Sequence, residues 1–190
     1  MGIGLKYSCR AEVSACAPER RKSLDALARV IARDEIRQLA YRYAAATDRR
    51  DLEALVGLFV EDVQVGRDRF GREALLENFR AQLREVGVTI LFVGNHIIEF
   101  DDEQNAHGEV YCKGEVQDGD RWIQQAIFYR DRYRLDDGAW YFVRREHLLW
   151  YGQPAEKSPL ELDPAHWPEN HSGRGTLPEA WESWRRFWNV

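Results

Sequence analysis

Apolar residues along the chain fall into two periods, and the change between them divides the molecule. Leu24, Leu27, Ala28, Ile31, Ile36, Leu39, Ala40, Tyr43 and Ala44 recur at three- and four-residue steps, the spacing of one helical face. Ser23 is placed to cap that helix. Asp48-Arg49-Arg50-Asp51 interrupts the pattern, and Asp51 can cap a second, short helix through Leu52, Leu55, Leu58 and Phe59. Gly71 precedes a third helix with Ala74, Leu75, Phe79 and Leu83 on one side, ending near Gly87. From there the period becomes two. Residues 88–100, about 105–117, 121–134 and 139–151 read as long strands joined by Asp101-Asp102, Asp118-Gly119-Asp120 and Asp136-Asp137-Gly138, an antiparallel meander. A short strand is expected at Asp62 to Val65. Three helices followed by a sheet make an α+β chain.

The ends differ from this middle. Residues 1–22 are rich in Ala, Ser and charge without apolar periodicity and read as a disordered leader, leaving 23–152 as the folded domain. From Pro154 onward five of the six prolines appear with Trp167, Trp181, Trp184 and Trp188, so residues 153–190 form an irregular tail too aromatic to be a solvated linker. Trp181, Trp184 and Trp188 are spaced for one helical face. That face either lies on the outer sheet or serves as a lid or a subunit-bridging arm.

Composition narrows the function. Of 190 residues 44% are hydrophobic, enough for one core, and 27 basic residues face 32 acidic ones for a net charge of −5. A nucleic-acid binder would need a basic surplus. No apolar run reaches membrane-span length and the start lacks a signal-peptide core, so a cytoplasmic protein is expected. Cys9, Cys16 and Cys112 form no C-x-x-C pair, and Cys112 reads as a small buried hydrophobe. Phosphate-loop, dinucleotide and zincin motifs are absent, and the five histidines show no metal-ligand spacing. Neither metal nor cofactor is expected.

The run Tyr43-Ala44-Ala45-Ala46-Thr47-Asp48-Arg49-Arg50-Asp51-Leu52, then Leu58-Phe59-Val60-Glu61-Asp62-Val63, then Phe70-Gly71-Arg72-Glu73-Ala74-Leu75, with Asn95 and the closing Asp137-Gly138-Ala139-Trp140-Tyr141-Phe142, resembles the nuclear transport factor 2-like superfamily. More narrowly it resembles the SnoaL-like, scytalone dehydratase-like branch, over about residues 24–152. The resemblance implies three helices packed on a curved sheet as a cone that holds a small hydrophobic molecule, and commonly a homodimer or homotrimer. It implies acid/base chemistry without a cofactor: dehydratases, aldehyde-releasing lyases of lignin-derived diaryl compounds, isomerases and cyclases share the fold. Non-catalytic association modules and ring-dioxygenase small subunits share it too.

In that resemblance Asp48 matches the acidic position of the dehydratases, and Tyr43 a tyrosine five residues before it. A carboxylate at the mouth of an apolar hollow is a usable base; alternatively Asp48 ends the helix beside Arg49 or Arg50. The family histidine, four residues before the asparagine, is replaced here by Leu91, while Asn95 keeps the asparagine position. His96 alternates onto the face opposite Leu91 unless a bulge intervenes. On the last strand alternation puts Tyr141, Val143, Arg145 and His147 together, and His147 can supply the missing proton shuttle, with Asp48 as orienter or second acid and Tyr43 or Tyr129 as donors to an oxygen that gains charge. It can equally be satisfied by Glu146, by Arg145 or by a neighbouring chain. Ile123, Gln125, Ile127, Tyr129, Asp131 and Tyr133 form the pocket side of their strand. Tyr111, and Arg69 or Arg72 near the hollow's mouth, complete the substrate-binding set. The sequence thus points to a cofactor-independent lyase for a small hydrophobic aromatic molecule, with an isomerase, a cyclase or a binding module as the alternatives.

Overall fold

The computed structural model describes residues 26–166 and 168–190; the leader 1–22 with Cys9 and Cys16, the capping Ser23, and Trp167 lie outside them. Helix α1 (Ala26–Arg49) is followed by α2 (Leu52–Gly57), a small hairpin of β1 (Gln64–Val65) and β2 (Arg69–Phe70), and α3 (Arg72–Arg84). Four long strands complete the core: β3 (Thr89–Phe100), β4 (Asn105–Asp118), β5 (Arg121–Asp136) and β6 (Ala139–Pro154). They pair antiparallel in chain order as a meander. A 3₁₀ turn (Pro159–Glu161) and α4 (Glu182–Trp188) lie in the tail. The arrangement is α+β, with the helices on one face of the sheet.

Local chemistry explains the joints. Helix α1 runs through Asp48 and stops at Arg50, whose φ of +56° turns the chain, and the Asp51 carboxylate then caps α2 by accepting from the Ala54 amide at 3.1 Å. Asp137 and Gly138, both at positive φ, make the tight β5–β6 turn that suits the right-handed twist of the strands. After α2 the chain docks along β6: the Val60 amide donates to Phe142 (3.0 Å) and the Phe142 amide to Leu58 (2.9 Å).

The core lies between α1 and the inner face of the sheet. Ile36, Leu39 and Ala40 meet Val60, Ile98, Val110, Tyr133 and Phe142, all nearly or wholly buried. Cys112 is buried there as well. Three bulges break the alternation, one of them at Trp150 of β6, which is extra between the pairs Leu149/Ile127 and Tyr151/Ala126. In β3, Gly94 and Asn95 together oppose Tyr111 between the pairs Val93/Cys112 and His96/Val110, and this one extra residue turns His96 inward and leaves Asn95 exposed. In β6, Val143 is extra between Phe142/Tyr133 and Arg144/Arg132. Alternation alone placed Tyr141 and Val143 with Arg145; instead Phe142 is the inner residue before the bulge and Arg145 and His147 are the inner ones after it.

The tail neither hangs free nor lies flat across the outer face. Ala155 hydrogen-bonds Trp122 at 2.8 Å, and Trp184 seats on Val88 and Trp122. Phe187 packs on Ala46, Leu55 and Leu83, and Ser183 Oγ donates to the Arg49 carbonyl at 2.8 Å. Helix α4 therefore closes the corner where α1, α2 and α3 meet the sheet. No helix among the described residues is long and apolar enough to cross a membrane. Because Trp184 is 6% exposed, Trp184→Ala is expected to lower unfolding free energy by about 3–5 kcal/mol, read as a fall in the urea midpoint. An unchanged midpoint would remove α4 from the core.

Candidate active site

Asp131 on β5 and Arg145 on β6 stand opposite each other with side chains 0% and 4% exposed. Arg145 Nε donates to Asp131 Oδ1 at 2.9 Å and Nη2 to Oδ2 at 2.6 Å, a bidentate pair. Three rings surround the guanidinium, those of Tyr129 (4.3 Å), Phe142 (4.4 Å) and Tyr43 (4.5 Å). Burial pulls the Arg145 pKa down, but the Asp131 charge outweighs it and the net shift is upward, so the cation persists.

A polar chain runs on from this pair. Tyr133 donates its hydroxyl to Asp131 Oδ2 at 2.8 Å, and its oxygen lies 3.0 Å from His96 Nε2. Since the Tyr133 proton is engaged, His96 must donate from Nε2, which leaves Nδ1 as an acceptor; that atom is buried without a partner. Burial lowers the His96 pKa to about 4, so the ring is neutral at pH 7. Gly108 makes the contact possible: a Cβ there would sit 3.3 Å from His96 Nε2 and 3.2 Å from the Tyr133 ring.

Beside the pair opens a hollow of about 830 Å³, with Tyr43, Phe59, Phe79 and Val143 on its walls together with Arg145 and His147; Asp62, Arg132, Arg134 and Arg144 border it as well, so its lining is mixed aromatic and polar. The His147 ring stands 5.3 Å from that of Tyr129. Partial burial, helped by the Arg145 charge, lowers its pKa, so it is a neutral base at pH 7. Burial raises the pKa of Tyr43 and Tyr129, which keeps both phenols protonated as donors. A hollow with an aromatic wall, a neutral imidazole, a phenol and a guanidinium can take a proton from carbon and hold the resulting negative charge.

Asp48 lies elsewhere. It lines a separate groove of about 310 Å³ with Tyr41, Ala44, Leu91, Phe92 and Trp181. Its Oδ1 accepts from the Thr89 hydroxyl (2.9 Å) and its Oδ2 from the Leu91 amide (3.0 Å). Burial raises its pKa to about 6 against those two bonds and the nearby arginine charges. Leu91, at the histidine position of the resemblance, thus serves Asp48 through its backbone. No hydrogen bond among the described residues joins Asp48 to His147, so the expectation that Asp48 orients that imidazole is corrected.

The other expected residues divide as follows. Tyr43, Tyr129 and His147 are brought together around Arg145. Asn95 is exposed in its bulge, and His96 is committed to Tyr133 away from the hollow. Tyr111 lies on the outer face against Phe128, ring centroids 5.1 Å apart. Arg69 pairs with Glu77. Arg72 clamps the Phe59 carbonyl (2.8 Å from Nε) and Glu61 (2.9 Å) while stacking over Tyr141. Asn95, His96, Tyr111, Arg69 and Arg72 are therefore not hollow-lining residues. Alternation in the sequence set Asp131 on the pocket side of its strand and Arg145 beside His147 without pairing them; the available signal was a charged residue at an inward position between Tyr129 and Tyr133. No group of three or more metal-ligating side chains occurs among the described residues.

A model of the SnoaL-like domain matches residues 28–146, more than half of the chain. The chain belongs to the SnoaL-like domain family. Its fold is that of the nuclear transport factor 2-like superfamily. Among solved structures, hexachlorocyclohexane dehydrochlorinase from Novosphingobium barchaimii is 21% identical with a TM-score of 0.62, covering 70% of this chain and 95% of that one. A candidate scytalone dehydratase from Novosphingobium aromaticivorans is 21% identical with a TM-score of 0.59, covering 68% and 91%. A Mycobacterium tuberculosis protein of unknown function is 25% identical with a TM-score of 0.56, covering 64% and 73%. No curated protein matches the sequence.

The shifted groups of this SnoaL-like domain make opposing pH demands on stability. Asp48 has a pKa near 6 in the fold against an ordinary 3.8, so its contribution falls as pH rises from 4 to 6, by about 2–3 kcal/mol. His96, near 4 against 6.5, contributes a rise over almost the same window, and His147 adds to it. Wild-type stability is expected to change little from pH 4 to 6.5. Asp48→Asn should unmask the rise and His96→Gln the fall, both read by urea unfolding; parallel profiles for the two variants would contradict the assignment.

Proposed function

We propose that this protein is a cofactor-independent lyase for a small, hydrophobic, aromatic molecule, with His147 as the base. One observation carries the reading: the neutral His147 imidazole borders a hollow whose aromatic wall, Tyr43, Phe59 and Phe79, also presents the Tyr43 phenol and the Arg145 guanidinium. His147 takes a proton from carbon next to a carbonyl or phenol-type oxygen. The charge that develops on that oxygen is held by Tyr43 and Arg145, and its collapse expels the leaving group, to which His147 returns the proton. Water would leave in this way; from a lignin-derived diaryl compound formaldehyde would leave by the related cleavage, in which His147 takes the proton of a hydroxymethyl O–H, the C–C bond breaks as the C=O of formaldehyde forms, and the electron pair left on the ring-conjugated carbon takes the proton back from His147. Similarity to the dehydrochlorinase and the candidate dehydratase supports the reaction class. Asp48, in its own groove, takes no step.

A panel of aromatic alcohols, diaryl diols, hydroxysteroids and β-hydroxy polyketides, followed by product mass, tests this. His147→Ala is expected to lower kcat by about 10²–10⁴, and Tyr43→Phe by about 10²–10³, while Asp48→Asn turns over nearly as wild type. Substrate bound without change of mass in wild type would make the protein a binding module, and a product of unchanged mass would make it an isomerase.

The reading includes self-association as a homodimer or homotrimer through the outer sheet face, where Phe92 (75% exposed), Ile90, Ile97 and Tyr111 stand uncovered in the single chain. Light scattering should give two or three chains, and Phe92→Lys should give one; a monomeric wild type would refute the assignment.

A further inference from the structure

The corner between α1 and α2 buries a cation whose direct partners are all neutral. Arg50 is 2% exposed. Its Nη1 donates to the Thr47 carbonyl (2.5 Å) and to Thr89 Oγ1 (2.9 Å), and its Nη2 to the carbonyls of Val86 (3.4 Å) and Gly87. The guanidinium lies 4.9 Å from the Trp184 ring, and its Nε–H is buried with no partner. A carboxylate is reached only at one remove, because the Thr89 hydroxyl that accepts from Arg50 donates to Asp48. Burial lowers the Arg50 pKa to about 10, which still leaves it charged at neutral pH. Buried cations lacking a matching anion are costly, and this one is matched only indirectly.

Arg50 also lines a hollow of about 290 Å³ between α2, α3 and α4, separate from the Tyr43–His147 hollow. Arg80 and Arg84 of α3 and Arg186 of α4 line it too, so four arginines from three parts of the chain border one space. Its carboxylates are two, Asp51 and Glu53, of which Asp51 is engaged at the α2 cap, while Arg186 is paired with Glu182 of its own helix at 2.9 Å. Arg84 is held flat against Phe187 and Trp188, at 4.6 and 5.3 Å, and donates to the Phe187 carbonyl. Arg80 is exposed and makes no ion pair with a described residue. Leu52, Leu76 and Phe187 supply apolar wall.

We propose that this hollow is a binding site for a small organic oxyanion, a carboxylate or a phosphate monoester with an apolar body. Guanidiniums read both groups through paired N–H donors, and here they are preset by stacking and by backbone bonds, which reduces the ordering that binding requires. The apolar wall favours an organic anion over an inorganic one, and the volume limits it to about the size of a single ring with its anionic group. Helix α4 supplies Arg186 and Phe187, so the tail completes the site.

The test uses the full chain labelled with ¹⁵N-arginine, titrated with benzoate, phenyl phosphate and inorganic phosphate, each against chloride at equal ionic strength. The Arg50 Nε–H, shielded from water, exchanges slowly and gives a resolved signal. Saturable shifts of the Arg50 and Arg84 signals are expected with benzoate or phenyl phosphate, and the tighter of the two identifies the class. Arg80→Glu should weaken that binding at least tenfold with an unchanged urea midpoint, since the side chain is exposed and unpaired. Shifts that do not saturate, that chloride reproduces, or that Arg80→Glu leaves unaltered would overturn the proposal.

Discussion

Two charges buried side by side, Asp131 and Arg145, set the terms for the inner face of this sheet. Taking either out of water alone costs several kcal/mol, and their bidentate contact repays that only if the remaining donors and acceptors are also met. The surroundings meet them in sequence. Tyr133 gives its proton to the carboxylate and His96 then gives its own to Tyr133. Three aromatic faces enclose the guanidinium, one of them brought by α1. Helix position, strand register and the glycine at 108 are thereby linked, since displacement of any one would leave a buried polar group unpartnered.

The same pair explains why two of the bulges, at Val143 and at Gly94-Asn95, matter. Without the extra Val143, regular pairing would set Arg144 rather than Arg145 across from Asp131, and His147 would face out. Without the extra residue in β3, Asn95 instead of His96 would point at Tyr133. Each bulge shifts a polar side chain from one face to the other at the cost of a local break in the ladder.

This is also where legibility from sequence ends. Helices, strands and their order follow from apolar periodicity, and the Asp51 cap and the Asp137-Gly138 turn from local chemistry, because these depend on neighbours within a few residues. Face assignment along β3 and β6 depends on a two-residue count that one inserted residue inverts, so alternation sent His96 outward and grouped Tyr141 with Arg145. His147 was reached because the bulge and the misassigned Phe142 cancel beyond residue 143. Asp48 was expected beside it because the resemblance carries a histidine at position 91; with Leu91 there, the contact that would join the groups is a backbone amide instead. The role of the tail depended on tertiary packing of Trp184 and Phe187 that no local pattern encodes.

The two arginine environments differ in a way that separates what each can do. Arg145 is charge-matched by Asp131, so this guanidinium makes no standing demand for an anion; its Nη1, free of hydrogen bonds to described residues, and the Tyr43 phenol remain as oriented donors. Under the proposed function these donors would gain interaction as negative charge appears on the bound molecule, which is the condition for lowering a barrier rather than deepening a ground state. Arg50 and Arg80 carry charge that no directly bonded carboxylate matches, and the proposed anion site rests on that excess. Tight binding there would bring no chemistry, because no neutral base borders it. The matched cation stands beside the neutral imidazole and the unmatched ones lie about two turns further along, past the C-terminal end of α1, so the two proposals place proton abstraction and anion binding in different hollows of one small domain.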